Sequence, residues 1–125
     1  MTDTLSPITR MFDWWNGAFR EHAFTPDAFA AHYTDDAQFI VDGGVRGTGP
    51  EAICAHFARI RERCDAVELV TPVIATLADE TQGFVQYRCT FTAKGKSGSE
   101  VCMAHARFRD GKIARFEVIG RPEAS

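Results

Sequence analysis

Val85-Gln86-Tyr87-Arg88-Cys89-Thr90-Phe91-Thr92 reads as a half-buried strand, and the two turns downstream of it decide the fold. Side chains alternate along a strand, so Val85, Tyr87, Cys89 and Phe91 share one face and Gln86, Arg88, Thr90 and Thr92 the other. Lys94-Gly95-Lys96-Ser97-Gly98 then marks a hairpin turn into Glu100–Arg109. Asp110-Gly111 marks a second turn into Lys112–Ile119, because Asp-Gly readily adopts the left-handed dihedrals of a two-residue hairpin. Upstream, Val67, Leu69, Thr71 and Val73 alternate with Glu68, Val70 and Pro72, so the period of two begins near Ala66. The second half of the chain is an antiparallel meander.

The first half has a helical period. Ile8, Phe12, Trp15 and Phe19 recur at steps of four, three and four, one stripe of a helix that Ser6-Pro7 would cap and open. Thr25-Pro26-Asp27 repeats that start signal, and the spacing predicts a second helix carrying Phe29, His32 and Tyr33 before Thr34-Asp35-Asp36 ends it. Ala37 to Asp42 is a short strand, followed by a flexible turn through Gly43-Gly44, Gly47 and Gly49. Pro50-Glu51 opens a third helix with Ile53, Phe57 and Ile60 on its apolar stripe and His56 beside it. Three helices followed by strands give an α+β fold, the helices packed on one face of a curved, mostly antiparallel sheet.

The chain has 125 residues and a mass of 13.9 kDa, the size of a single domain over residues 1–125. Fourteen Lys and Arg against seventeen Asp and Glu leave a net charge of −3, which argues against a nucleic-acid binder. No apolar run approaches the roughly 18–20 residues of a membrane span. Met1-Thr2-Asp3-Thr4 is polar and acidic, unlike a secretory leader, so a cytoplasmic protein is expected. Cys54, Cys64, Cys89 and Cys102 contain no C-x-x-C pair and read as free thiols. Asp35-Asp36 and the distant histidines lack metal-ligand spacing, so no metal is expected. The glycines at 43, 44 and 47 do not form a phosphate loop. Arg59, Arg61, Glu62 and Arg63 read as a solvated helix face.

Tyr33-Thr34-Asp35-Asp36-Ala37, then a strand, a Gly-rich turn, Gly49-Pro50-Glu51-Ala52-Ile53, three strands and Asp110-Gly111-Lys112-Ile113 resemble the nuclear transport factor 2-like superfamily. Within it the chain is most similar to SnoaL-like and ketosteroid-isomerase-like proteins, over residues 5 to 120. The resemblance implies a cystatin-like α+β barrel: three helices capping a strongly curved sheet to form a cone with an internal pocket. It also implies a small, largely apolar ligand and a homodimer formed through the outer sheet face. Gln86, Arg88, Thr90 and Thr92 would suit such an interface.

The resemblance further implies a general-base carboxylate at the end of the first strand, four residues after the Ala of Asp-Asp-Ala. That count reaches Val41, and Asp42 comes one later. A shift of one residue reverses the face, unless a bulge at Gly43-Gly44 re-aims the side chain. The protonated acid expected on the penultimate strand is replaced by Ala104, and Trp14 to Gly17 lacks the helix-one tyrosine. True ketosteroid isomerisation is therefore rejected. Asp42 and His56 remain candidate bases and Tyr87 a candidate hydrogen-bond donor. Trp15, Phe19, Tyr33, Phe57, Phe91, Phe116 and Val118 are the expected ligand-binding lining. His105 should face outward if Ala104 and Ala106 face in, and His22 and His32 read as surface or capping residues. Proton transfer on a carbonyl-bearing molecule (isomerisation, cyclisation or dehydration) requires no cofactor. The alternative is a noncatalytic module that only binds a ligand or dimerises.

Overall fold

A computed structural model describes residues 6–123; the polar stretch Met1 to Thr4 lies outside them. The order of elements is α1 (Pro7–Arg20), α2 (Pro26–Ala30), β1 (Tyr33–Val41), β2 (Gly44–Thr48), α3 (Pro50–Arg63), β3 (Ala66–Leu69), β4 (Ala75–Ala78), β5 (Gln82–Ala93), β6 (Lys96–Arg109) and β7 (Lys112–Pro122). Local chemistry sets the helix starts. The Ser6 hydroxyl accepts from the Thr9 N–H, the Thr25 hydroxyl accepts from the Ala28 N–H, and proline occupies the first turn of each helix.

The strands form one seven-stranded sheet in the order β2-β1-β7-β6-β5-β3, with β4 also paired to β5. Among the described residues, only β1 and β7 run parallel; the remaining pairs are antiparallel. The sheet does not close. β2 forms one free edge and the short β3 and β4 the other, so the expected barrel is an open sheet with helices over one face. Helix α1 is tied to the β3 edge by Asn16, whose amide gives to the Leu69 carbonyl and takes from its N–H. Helix α3 packs close on β2: a Cβ at Gly47 would lie 2.9 Å from the Ala52 backbone.

Several sequence expectations change. The second helix is five residues long, and Tyr33 begins a strand because it pairs with Ile113 of β7. The Ile113 N–H donates to the His32 carbonyl at that junction. The flexible glycine turn is mostly β2, joined to β1 by Asp42-Gly43 with φ of 49° and 86°. The strand expected through Val73 breaks after Leu69. Val70 and Ile74 still donate to Arg88 and Gln86 of β5, so the segment between them, including the donorless Pro72, loops off the edge. The turn at Lys94-Gly95 is tighter than expected, since Ala93 pairs with Lys96.

Cross-strand rows build the face under the helices. Phe39 pairs with Phe116 and Val41 with Val118; Ala106 and Ala104 continue those rows onto β6, and Tyr87–Cys102–Gly120 forms the next. Ala104 and Ala106 are buried, and His105 turns outward to Gln82 and Phe84. Under α1 and α2 the core is aromatic. Phe29, fully buried, contacts Trp14, Phe24, Tyr33 and Phe57.

Candidate functional site

Between the sheet and helices α1 and α3 lies a cavity of about 540 Å³. That is within the range of small-molecule pockets. Asp42, His56 and Tyr87 all line it, although they come from the end of β1, the middle of α3 and the middle of β5. Trp15, Tyr33, Phe57, Phe116 and Val118 line it too. Phe19 and Phe91 do not. They border a second groove of about 850 Å³ at the C-terminal end of β5, where Arg61 lies over the Phe19 ring and the Phe91 ring folds over Gly98.

Regular strand geometry would not put Val41 and Asp42 on one cavity, yet both line it. The strand ends at Val41, and Asp42 has the positive φ of the hairpin turn, so alternation stops there. The Asp42 N–H donates to the Val118 carbonyl at 2.9 Å, and its Oδ1 accepts from the Gly120 N–H at 3.4 Å. Its carboxylate is exposed at the cavity rim.

His56 is half-buried between the rings of Phe39 and Phe57. Burial first, then the charges of Arg59, Arg46 and Arg63, push its pKa down to about 4. The imidazole is neutral at pH 7 and can give one hydrogen bond and accept another. Tyr87 is buried edge-on to Phe12. Desolvation, then the neighbouring Cys102 and Cys89, raise its pKa well above the ordinary tyrosine value, so its hydroxyl stays protonated. Burial also pushes the Cys89 and Cys102 thiols up to about 12, which keeps them from acting as thiolates.

The cavity includes residues that sequence reasoning passed over. Glu100 lines it, its Oε1 accepting from the Cys102 thiol at 3.7 Å. Once Ala104 and Ala106 are taken as inward, the period of two carries Cys102 and Glu100 with them. Arg59 and Arg63, exposed as a solvated helix face would have them, line it as well. Their spacing from His56 (positions 56, 59 and 63) is a single helical stripe, which was the available signal. Arg61 points elsewhere, toward Phe19 and His22. Among the described residues, no group of three or more His, Cys, Asp and Glu is arranged to hold a metal.

The low pKa of His56 has a measurable consequence. Between about pH 6.5 and 4 the unfolded chain takes up a proton that the folded chain resists. That stability is complete above pH 6.5 and is lost as pH falls toward 4. Between pH 7 and 5 the His56 share is about 1–2 kcal/mol after allowing for partial exposure. Urea unfolding at the two pH values should show a shallower pH slope for His56→Gln. The remaining slope would come from His32 and His105, whose pKa values burial also lowers. An unchanged slope in the variant would contradict the burial and charge described for His56.

The family model for the SnoaL-like domain matches residues 8–116, nearly the whole chain. The chain belongs to the SnoaL-like domain family. Solved structures agree on the fold of this SnoaL-like domain. A candidate SnoaL-like polyketide cyclase from Jannaschia sp. CCS1 is 18% identical, with a TM-score of 0.73 over 91% of this chain and 82% of that one. An NTF2-like protein from Exiguobacterium sp. 255-15 is 18% identical, with a TM-score of 0.75 over 96% and 100%. A candidate polyketide cyclase from Xanthomonas campestris pv. campestris is 19% identical, with a TM-score of 0.70 over 90% and 89%. No functionally curated protein matches the chain. Among the described residues, no helix of the SnoaL-like domain is long and apolar enough to cross a membrane.

Proposed function

We propose that this SnoaL-like domain binds a small, largely apolar molecule in its cavity and moves a proton on it. The observation that carries the reading is the meeting of Asp42, His56 and Tyr87 on one aromatic-lined cavity of about 540 Å³. Such a site supports abstraction of a proton from carbon next to a carbonyl. The electron pair moves onto the carbonyl oxygen, Tyr87 donates to that oxygen, and the proton returns to the same or another carbon. Isomerisation, cyclisation and dehydration share this step, and it requires no cofactor. The names of the Jannaschia and Xanthomonas neighbours as candidate polyketide cyclases are consistent with it.

Asp42 is the better base. Taking up a proton discharges Asp42, whereas it would make His56 a fourth cation beside Arg46, Arg59 and Arg63. His56 then serves as a neutral hydrogen-bonding group. The test is hydrogen–deuterium exchange at the α-carbons of 2-tetralone, an apolar ketone, followed by proton NMR in heavy water. The protein is expected to accelerate exchange over buffer. Binding without acceleration would favour the noncatalytic module.

We also infer a homodimer through the outer sheet face. Leu77, Phe84, Met103 and Ile119 are 79%, 55%, 62% and 62% exposed there, an apolar patch a lone domain would leave in water. Leu77 pairs with Phe84, and Met103 with Ile119, so these side chains adjoin. The polar face expected to mediate this contact instead includes Arg88 tied to Glu123, which moves the apolar patch to the centre of the proposed interface. Sedimentation is expected to give twice the 13.9 kDa chain mass, and a monomer at micromolar concentration would contradict the dimer. A cytoplasmic setting is part of the same proposal, checked by fractionating cells that express the tagged chain.

A further inference from the structure

The two ends of the cavity differ in chemistry. Arg46, Arg59 and Arg63 are exposed and line it, so they stand at its mouth. Arg46 is there because of a bulge: Phe39 pairs with Gly47 and Ile40 with Val45, leaving Arg46 as the extra residue of β2. Among the described residues, none of the three arginines has a carboxylate within ion-pair distance. Asp42 and Glu100 also line the cavity, both beside Gly120, but they accept from the Gly120 N–H and the Cys102 thiol. Three guanidinium groups without ion-pair partners against two carboxylates with donors leave the mouth suited to an anion.

The inner end holds a second, independent mark of a ligand. Tyr33 is 1% exposed and lines the cavity, yet its hydroxyl has no hydrogen-bond partner. A buried hydroxyl without a partner is costly, and native folds seldom leave one. The Tyr33 hydroxyl is therefore a donor left open at this end. Its pKa is raised by burial, which keeps the proton on the oxygen.

We propose that the molecule bound here is an apolar, ring-bearing organic acid, its carboxylate among Arg46, Arg59 and Arg63 at the mouth and an acceptor oxygen at its far end on the Tyr33 hydroxyl. This rests on the small-molecule reading of the cavity and adds the class and direction of the ligand.

Matched probes separate the two claims in titration calorimetry on the whole chain. 2-Naphthoate and biphenyl-4-carboxylate are compared with their neutral primary amides. The acids are expected to bind roughly tenfold or more tightly than the amides, the size of a charge-assisted contact. The double substitution Arg59→Gln with Arg63→Gln, at exposed positions, should weaken the acids at least threefold more than the amides, leaving only the share of Arg46. For the inner end, Tyr33→Phe should weaken 6-methoxy-2-naphthoate by roughly threefold to tenfold and leave 6-methyl-2-naphthoate unchanged. It removes only an unpaired hydroxyl, so the fold should survive. Amides binding as well as acids, or a preference undiminished without Arg59 and Arg63, would overturn the anion assignment while the cavity reading stands. Equal effects of Tyr33→Phe on both naphthoates, or none on either, would remove Tyr33 from the site. If neither acids nor amides bind, this proposal and the small-molecule reading fall together.

Discussion

Replacing Phe29 with alanine is expected to cost about 3–5 kcal/mol, the usual range for emptying a fully buried phenylalanine site. Phe29 is 0% exposed and sits where α2 meets α1 and α3. Its ring stacks on Phe57 at 5.7 Å, meets Trp14 edge-on at 5.0 Å, and lies 5.2 Å from Phe24 and 6.1 Å from Tyr33. Collapse around the void is limited because those neighbours are rigid rings held by separate elements. The loss is a large share of the roughly 5–15 kcal/mol that keeps a domain of this size folded. Thermal unfolding should fall by roughly 10–20 °C. Because Trp15, Tyr33 and Phe57 also line the cavity, ligand affinity should fall with stability. A loss under about 1 kcal/mol would mean that the aromatic cluster is not the structural support of the site.

Asp42→Asn is expected to slow α-proton exchange by roughly 10²–10⁴-fold, the usual share of a positioned general base. The variant should fold. Asparagine tolerates the left-handed φ of 49° as aspartate does, and the Asp42 N–H still reaches the Val118 carbonyl. Affinity for 2-tetralone should change by less than about threefold, because the contacts of that neutral ketone are mainly apolar. The split between rate and affinity identifies a base, since a residue that only shapes the rim would alter affinity. If His56→Gln abolished exchange and Asp42→Asn did not, the base would be His56.

Much of the fold was legible because its signals are local. The two hairpins after β5 follow from Lys94-Gly95 and Asp110-Gly111, each with the positive φ that those pairs favour. The stripe from Ile8 to Phe19 is α1, and Ser6 and Thr25 cap the helices they were expected to cap. β2 was missed because Gly44 and Gly47 make a five-residue strand look like a loop. The early start of β1 was missed for a different reason: Tyr33 is held by Ile113, eighty positions away, in the sheet's one parallel pairing. Such pairing leaves no trace in periodicity. At the site, alternation named Tyr87 and helical spacing named His56. Asp42 was ambiguous by one residue until the turn dihedral showed why Val41 and Asp42 share a cavity. Arg46 was invisible, since only the bulge brings it to the mouth. The unpartnered hydroxyl of Tyr33 is a fact of packing, which no sequence pattern records.

The most direct test of the central claim is where a small apolar carbonyl compound binds. 2-Tetralone titrated into nitrogen-15-labelled protein should shift the amide signals of Asp42, His56 and Tyr87 together, with one saturating curve. The signals of Phe84, Met103 and Ile119 on the outer sheet face should stay in place. Shifts confined to that outer face, or none on any of the three cavity residues at saturating ketone, would contradict the account.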